Sequence, residues 1–508
     1  MSDGRAADRD RSDRGAGSDA PATRTTPGSD DGDGGSGSRS GSRNVGDLLA
    51  VWRRVVALSW PVGVEHTTRT LMRTTDVLVT GFFSPGAIAA VGLADLYARF
   101  PLRIGLGLGG GAIALSSQDT GAGAERNRDE AVTAALLLGL GAGVPFVAVG
   151  LLVATELVAL LGAPATVARM GGVYLAVVFA TAPARHVALV AARSLQGTGD
   201  TRTPMAVNVL ANLANVAGSV VLGLGLYGAP RLGILGVGLA TAAANVLSAG
   251  LFLAALGSSW TDAGFARPRD PVIARQLVAL SVPKIAEGLA ATVAEFPFNA
   301  LLLGFGTEVN AAFQVGRRAY QQVTAPLSRG YNVAANVVVG SALGEGDPGR
   351  ARFEGWATTL LGVLTVGALG LVLVAGARPF VTLFTDDPAT VALAAEFAAV
   401  YGLSAPALVG FLVLSGALQG ASETRVPFVA RVTATGGGLL GVTYLVGVVL
   451  GYGPPGAYLG IAASYVWMAG VVVAAFGRGD WAGRAAGMMA ERGTTPGDGA
   501  GDPDPGDD

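Results

Sequence analysis

Apolar runs of about 20 residues recur along most of this 508-residue chain, and each is long enough to cross the hydrocarbon core of a bilayer as a helix. Charged residues make up only 14% of the chain, too few to solvate the surface of a globular protein of this size. The sequence therefore predicts an all-α integral membrane protein. We place twelve spans, at 55–80, 87–116, 131–155, 166–193, 205–226, 234–257, 276–304, 309–342, 356–376, 390–418, 428–450 and 457–477.

Several classes of function are disfavoured by composition. The net charge of −2 gives no basic excess for nucleic acid, and the absence of cysteine excludes disulfides and thiolate metal sites. Two histidines, His66 and His186, are too few for an imidazole metal cage. No segment resembles an HExxH or GxSxG motif, so we expect no enzymatic activity and no cofactor beyond a coupling ion.

The two ends of the chain differ from its middle, because they are rich in Gly, Ser, Asp and Arg and poor in large apolar side chains. Such segments cannot bury enough surface to offset the entropy of ordering. The sequence predicts a disordered polar tail over 1–45 and a disordered acidic tail over 481–508. The first residues lack an apolar segment after their charges, so no signal peptide is expected.

Arginine is distributed unequally between the predicted loops. If the N-terminus is cytoplasmic, the outer loops hold only Arg231 and Arg378, with Arg169 at a border. The positive-inside rule then predicts a multi-pass protein of the cell membrane with both termini cytoplasmic. The inner positions hold Arg53, Arg54, Arg126, Arg128, Arg193, Arg202, Arg267, Arg269, Arg275, Arg350, Arg352, Arg425, Arg478 and Arg484.

Four short motifs occur twice, in the same order, at offsets of 222 to 225 residues. They are VALSxP at 56–61 and 278–283, PLxxG at 101–105 and 326–330, LQGxx(D/E)TRxP at 195–204 and 418–427, and YGxP at 227–230 and 452–455. The duplication predicts two homologous lobes of six transmembrane helices, 46–260 and 261–480, in the same orientation around a central cleft. Paired lobes of this kind suit alternating access, whereas a passive channel has no need of them.

The motifs LQGTGDTRTP, LQGASETRVP and TTDVLVTGFFSPGAIAAVGLA make the chain resemble the multidrug and toxic compound extrusion (MATE) transporters over roughly residues 50–478. The resemblance implies twelve helices in two lobes and export driven by sodium ions or protons. Drugs or other small organic solutes are the expected substrates, and the protein is expected to be a monomer in the bilayer. The alternative is a flippase for a lipid-linked saccharide or a phospholipid-like precursor.

Asp76 matches the position at which these transporters have a cation-binding aspartate, so the resemblance implies that Asp76 binds the coupling ion. A salt bridge with Arg73, one helical turn away, is the alternative. Asn208, Asn212 and Asn215 share one helical face, and their carboxamide oxygens suit Na⁺. The alternative is that these asparagines form hydrogen bonds between helices.

Relatives of the archaeal type often have a second aspartate four residues after this asparagine, where the present chain has Ser219. Ser219, at the position of that second aspartate, completes the set of candidate ion ligands. The coupling ion is expected to be either sodium or a proton.

In the second half, Glu287 and Glu295 lie eight residues apart on nearly the same helical face, followed by Asn299. The resemblance implies an acidic residue near position 291, which is alanine here. We therefore expect Glu295 to take that role.

Arginines are unexpectedly frequent within the spans or near their ends, where an ionised group costs about 2.5–3.5 kcal/mol at the bilayer centre. They predict a cleft for anionic or zwitterionic substrates, unless they reach the interfaces or pair with Asp95, Glu65 and Glu287. These residues are Arg69, Arg73, Arg99, Arg103, Arg185, Arg317, Arg318, Arg329 and Arg431. The predicted cleft residues are Glu65, Arg69, Arg99, Arg103, Glu287, Glu295, Asn299, Gln314 and Arg318.

Overall fold

The computed structural model describes residues 45–494, and all regular structure in that range is helical. The first half contains α1 (Val45–Gly81), α2 (Pro85–Gly121), α3 (Glu125–Leu160), α4 (Ala165–Ala180), α5 (Ala182–Gly197), α6 (Arg202–Leu224) and α7 (Ile234–Leu256). The second half contains α8 (Pro271–Val293), α9 (Glu295–Phe305), α10 (Thr307–Gly344), α11 (Pro348–Ala375), α12 (Ala377–Val381), α13 (Pro388–Gly420), α14 (Arg425–Thr433), a π-helical segment (Ala434–Val449), α15 (Pro454–Arg478) and α16 (Trp481–Glu491). Residues 1–44 of the predicted N-terminal tail lie outside the described residues, and Val45 begins α1.

Each of the twelve predicted spans falls on one helix or on two consecutive helices. Among the described residues, eight helices are long and apolar enough to cross a membrane, or nine if α4 and α5, bent by 50° at their junction, form one span. The prediction of an all-α membrane protein is therefore confirmed.

Three other helices, α1, α2 and α10, are among the longest in the described chain, at 37, 37 and 38 residues. They do not qualify as apolar spans, since each has several ionisable residues in its middle. These are the helices on which the sequence places Asp76, Arg99 and Arg329. Their charge marks them as helices that face polar surroundings inside the protein rather than lipid.

The helix starts follow from local capping chemistry. Asp270, Asp347 and Asp387 each accept a backbone hydrogen bond from the first turn of the following helix, and each is followed by a proline at the first helical position. A proline there has no N–H to leave unsatisfied, and its fixed φ suits the helix.

The repeated turns have matching geometry. Asp200 Oδ1 accepts hydrogen bonds from the N–H groups of Arg202 and Thr203, and Glu423 Oε1 accepts them from Arg425 and Val426. In both halves, an acidic side chain thus caps the helix that follows the LQG motif. This supports a structural role for the motif.

The first helices of the two halves pack across the sequence boundary. Val51 and Val55, near the start of α1, belong to the hydrophobic core formed mainly by α10, α11, α13 and α15. Ile273 and Leu277, near the start of α8, belong to the core formed mainly by α2, α3, α5 and α7. The Trp52 indole N–H also donates to the carbonyl of Ala357, at 2.9 Å. The duplicated segments are therefore exchanged at this end of the molecule.

The prediction of a disordered tail from residue 481 is wrong for its first part. α16 follows α15 after a short turn and buries Trp481, Ala485 and Met489. The Arg492 side chain, just beyond α16, is fully buried. A four-residue spacing of apolar side chains gives α16 one apolar face, which packs against the rest of the protein. Residues 495–508 lie outside the described range.

Near α16, the ends of α2 and α10 pack so closely that their backbones are in contact. A Cβ added at Gly344 in α10 would overlap the carbonyl oxygen of Gln118 in α2, and one added at Gly121 would overlap Ser341. Glycine permits this close approach, as at other helix contacts in membranes. The two halves are therefore in tight contact at this end of the molecule. We call this end the arginine-rich face, because Arg126, Arg350 and other loop arginines lie there.

Candidate functional site

A polar cavity of about 150 Å³ lies among α1, α2, α4, α5, α6 and α7, with one residue contributed by α10. It is therefore built almost wholly from the first half of the chain. The predicted cleft between two equivalent lobes would have drawn equally on both halves.

Asp76 lies at one wall of this cavity and is 6% exposed. Its carboxylate accepts a hydrogen bond from the Ser219 hydroxyl, at 2.7 Å. The Ser219 oxygen lies 3.3 Å from Asn215 Oδ1, and the Asn215 amide donates to Thr241 Oγ1 at 3.1 Å. Within the described residues, Arg73 makes no ion pair with Asp76, so the alternative of an Arg73 salt bridge is wrong. Asp76, Asn215, Ser219 and Thr241 form what we call the Asp76 cluster.

The three predicted asparagines of α6 all line the cavity, but they have different partners. Only Asn215 joins the Asp76 cluster. The Asn212 amide donates to Thr68 Oγ1 at 3.4 Å, and Asn208 Oδ1 accepts from Ser248 at 3.5 Å. Asn208 and Asn212 therefore join α6 to neighbouring helices.

Sequence reasoning missed the polar face of α7. Thr241, Asn245 and Ser248 all line the cavity, and the Asn245 amide donates to Thr181 at 3.1 Å. Their spacing of four and three residues within a strongly apolar helix is the same signal that identified the asparagines of α6. It could have been found by the same search.

Six arginines and three carboxylates line the cavity. The carboxylates are Glu65, Asp76 and Asp95, and the arginines are Arg69, Arg73, Arg99, Arg185, Arg193 and Arg329. Arg193 was assigned to an inner loop position from the sequence, but it lies on α5 and faces the cavity. The three carboxylates are too few to pair with all six arginines of the cavity.

Glu65 and Arg69 form an ion pair at 2.7 Å. Arg99 pairs with Glu295 at 3.1 Å, across the two halves. No ion pair of Asp95 within 4.0 Å occurs in the described part of the chain, so Asp95 does not neutralise the arginines in the way the alternative required.

The remaining predicted cleft residues do not line this cavity. Glu287 is buried and pairs with Lys284 at 3.0 Å and with Arg431 at 3.6 Å. Glu295 pairs with Arg99 and, at 3.3 Å, with Arg317. Both glutamates therefore form ion pairs with basic side chains of the protein, and they do not line one open cleft.

Asn299 and Gln314 belong to a separate network, in which Asn299 Oδ1 accepts from the amides of Asn310 (2.9 Å) and Gln314 (2.8 Å). The Arg103 Nε donates to Thr292 Oγ1 at 3.0 Å, which joins α2 to α8. Arg318 is exposed on α10. The predicted cleft residues therefore lie in several separate sites and do not form a single cleft.

The Asp76 cluster contains several oxygen atoms, which is the ligand type that hard cations prefer. Asp76 offers a carboxylate, Asn215 a carbonyl, and Ser219 and Thr241 hydroxyls. No group of three or more His, Cys, Asp or Glu side chains able to hold a metal occurs in residues 45–494. With one carboxylate, the Asp76 cluster fits a monovalent ion better than a divalent or transition metal.

Comparison with known families decides the class of the protein. Residues 61–221 and 283–452 match the MatE family. The chain belongs to the MATE family of membrane transporters. A probable multidrug resistance protein NorM of Bradyrhizobium diazoefficiens is 30% identical over 436 residues, which is 82% of this chain and 91% of the relative. A probable NorM of Rhodopseudomonas palustris is 30% identical over 440 residues, covering 83% and 90% of the two chains.

Solved structures share the fold. A MOP superfamily transporter from Pyrococcus furiosus, described as having a binding pocket of reversed polarity that suggests a different function, superposes with a TM-score of 0.76. It is 19% identical, and the match covers 87% of this chain and 98% of that one. The MATE resemblance is thus confirmed. The relatives favour a transporter of the multidrug type over the flippase alternative, and the MATE family is one of transporters and not of enzymes.

Proposed function

We propose that this MATE protein is a secondary-active exporter of small organic solutes, coupled to Na⁺ or H⁺ through the Asp76 cluster. The observation that carries the proposal is a buried carboxylate that borders a polar cavity and accepts a hydrogen bond from Ser219, which is linked in turn to Asn215. An ionisable group inside a membrane protein is costly unless it has a function or a partner. Asp76 has Ser219 as its hydrogen-bond partner and makes no ion pair within 4.0 Å in the described residues.

We propose twelve membrane spans in two lobes, with α1, α2 and α10 as spans that face the protein interior. The lengths of these three helices, 37 to 38 residues, exceed the roughly 20 needed to cross the bilayer. The repeat of capped turns after α5 and α13 supports the two-lobe organisation.

We propose that the arginine-rich face is cytoplasmic. The opposite ends of the helices hold Arg231 and Arg378, whereas Arg126, Arg275 and Arg350 are among the many at the face near α16. This asymmetry follows the positive-inside rule. The close contact of Gly121 and Gly344 with the opposing helices then closes the cytoplasmic side, which corresponds to a state open outwards.

The transport cycle follows from differential affinity. An ion bound at Asp76 would favour one state of the two lobes, and substrate would favour the other. Substrate release would then be linked to ion entry because both ligands border one cavity. One charge moving across 100 mV supplies about 2.3 kcal/mol, which can drive roughly a fiftyfold solute gradient.

The test uses the full-length protein in proteoliposomes loaded with a cationic dye, ethidium, or an anionic dye, carboxyfluorescein. Sodium and proton gradients are imposed separately, and dye efflux is followed for the wild type and for Asp76→Asn. We expect one gradient to accelerate efflux of at least one dye, and the asparagine variant to lose that acceleration. Asp386→Asn, which changes an exposed aspartate in the loop before α13, is the matched control and should behave as the wild type.

Dye efflux that is indifferent to both gradients in the wild type would contradict coupled export. Acceleration that survives in Asp76→Asn would leave export standing and exclude Asp76 as the coupling site. Because either gradient can be applied alone, the same measurement separates sodium from proton coupling.

A further inference from the structure

The cavity beside the Asp76 cluster has an excess of positive charge. Its six arginines outnumber its three carboxylates, and no lysine is among its lining residues. A cavity shaped for lipophilic cations would be expected to have the opposite balance, since like charges repel. The charge of the wall therefore bears directly on the charge of the solute.

Four of the six arginines have no carboxylate partner within 4.0 Å in the described chain: Arg73, Arg185, Arg193 and Arg329. Arg193 donates to the neutral side chain of Gln196, at 3.0 Å. The Nε of Arg185 is buried and has no hydrogen-bond partner in the structure. A buried guanidinium donor without an acceptor is costly, and an anion in the cavity would supply the missing acceptor.

These arginines converge from three helices. Arg73 lies on α1, Arg185 and Arg193 lie two turns apart on one face of α5, and Arg329 lies on α10. Because all four line one cavity, their like charges repel one another. Mutual repulsion of this kind is relieved when an anion binds between the guanidinium groups.

Apolar side chains complete the wall. Met72, Leu102, Leu106, Val178 and Leu189 face the same space. A ligand that satisfies both kinds of surface has an apolar body and an anionic group, and planar guanidinium groups bind carboxylate or phosphate oxygens in pairs.

We propose that the cavity binds an amphipathic organic anion, a carboxylate or organic phosphate in solution, and that such anions are the exported solutes. The proposal rests on the exporter function above and specifies its substrate class. Arg185 and Arg329 hold the anionic group, while the apolar side chains contact the body of the solute.

The test measures equilibrium binding to the purified full-length protein in neutral detergent at fixed ionic strength, with no gradient. The probes are dansylglycine, which is anionic, and dansylcholine, which has the same fluorophore and a quaternary ammonium. We expect dansylglycine to bind more tightly than dansylcholine. Arg185→Gln and Arg329→Gln should each weaken dansylglycine binding about tenfold or more, since each removes charge-assisted hydrogen bonds.

Arg318→Gln, which changes an exposed arginine on α10 away from the cavity, is the control and should leave binding unchanged. Arg185→Lys keeps the charge and should retain more affinity than Arg185→Gln, which separates loss of the anion site from misfolding. Tighter binding of dansylcholine, or equal loss of affinity in Arg318→Gln, would overturn the proposal.

Two competitors identify the source of the anionic group. Displacement of dansylglycine by octanoate would support a solute in solution. Displacement only by phosphatidic acid in mixed micelles would overturn that assignment in favour of a lipid. The binding assay uses no gradient, so it is independent of the efflux assay. Anion binding without gradient-driven efflux would refute the exporter function and support the anion site. Gradient-driven efflux together with tighter binding of the cation would support the exporter function and refute the anion site.

Discussion

Arg492 and Asp119 form an ion pair with 2.7 Å between Nη2 and Oδ1, and neither side chain is exposed to solvent. The guanidinium also donates to Gln118 Oε1 at 3.0 Å and to Gln276 Oε1 at 3.1 Å. Asp119 and Gln118 belong to α2 and Gln276 belongs to α8, so one side chain just after α16 joins helices from both halves of the sequence.

Loss of Arg492 should destabilise the protein strongly. Arg492→Met leaves Asp119 as an unpaired buried charge, which we expect to lower the free energy of unfolding by about 3–5 kcal/mol. Unfolding in SDS, followed by circular dichroism, measures this. Arg478→Met removes an exposed arginine at the end of α15 and should change stability by about 0.5 kcal/mol or less.

The double variant Arg492→Met with Asp119→Leu should regain most of that stability, because it removes both charges. A double variant as unstable as Arg492→Met would show that the pair acts through packing and not through charge.

Ser219→Ala should weaken binding of the coupling ion. The substitution removes the hydroxyl that donates to Asp76 and lies next to Asn215, and a hydrogen bond to a charged group contributes about 1.5–3 kcal/mol. We expect the ion concentration for half-maximal dye efflux to rise about tenfold or more. Ser259→Ala, at an exposed position in the loop after α7, should leave that concentration unchanged. An unaltered ion dependence in Ser219→Ala would exclude Ser219 as part of the ion site.

The two glutamates of α8 and α9 should differ in their contribution to stability. Glu287 has an 8% exposed side chain and neutralises Lys284 and Arg431, so Glu287→Gln should cost about 3 kcal/mol or more. Glu295 is about one-third exposed, and its pair with Arg99 is screened by water, so Glu295→Gln should cost about 1 kcal/mol or less. The same SDS unfolding assay compares them, and equal effects would contradict the difference in burial.

Gly344→Ala should hinder closure of the arginine-rich face, because the new Cβ overlaps the Gln118 carbonyl oxygen. The natural chain contains no cysteine, so Ser341→Cys introduces a single thiol at this contact. We expect an impermeant maleimide to label Ser341→Cys several times faster when Gly344→Ala is present, because crowding at a packed contact costs about 1–3 kcal/mol. Gly410→Ala, where the Cβ meets open space, is the control. Unchanged labelling would show that the contact tolerates the methyl group.

Hydropathy predicted the helices well, because membrane spans depend mainly on the length of an apolar run. The Asp76 cluster was also accessible from the sequence, since Asn215 and Ser219 lie one turn apart on α6 and Asp76 was implied by the family resemblance.

The C-terminal helix α16 was missed because WAGRAAGMMAERG adjoins a Gly- and Asp-rich segment and is too short to span a bilayer. Its signal was the spacing of Trp481, Ala485 and Met489, three residues on one face. Average composition concealed that pattern.

The partners of the arginines could not be predicted. Arg99 meets Glu295 and Arg103 meets Thr292 across 196 and 189 residues of sequence. Such pairs depend on how separate helices are rotated against each other, which helical periodicity does not determine. For the same reason, the sequence suggested one cleft, whereas Asn299 and Glu287 lie in networks of their own.

The burial of Arg492 also has a consequence for biosynthesis. Asp119 emerges from the ribosome early, and its cation follows 373 residues later, after α16. Until then, a carboxylate at the end of α2 lacks its counter-charge, and the junction of α2 with α8 lacks its guanidinium cross-link. The contact between α2 and α8 is therefore completed only after α15 and α16 have been synthesised. A stop codon shortly before position 492 would leave α1 to α15 complete and would remove the ion pair between Arg492 and Asp119.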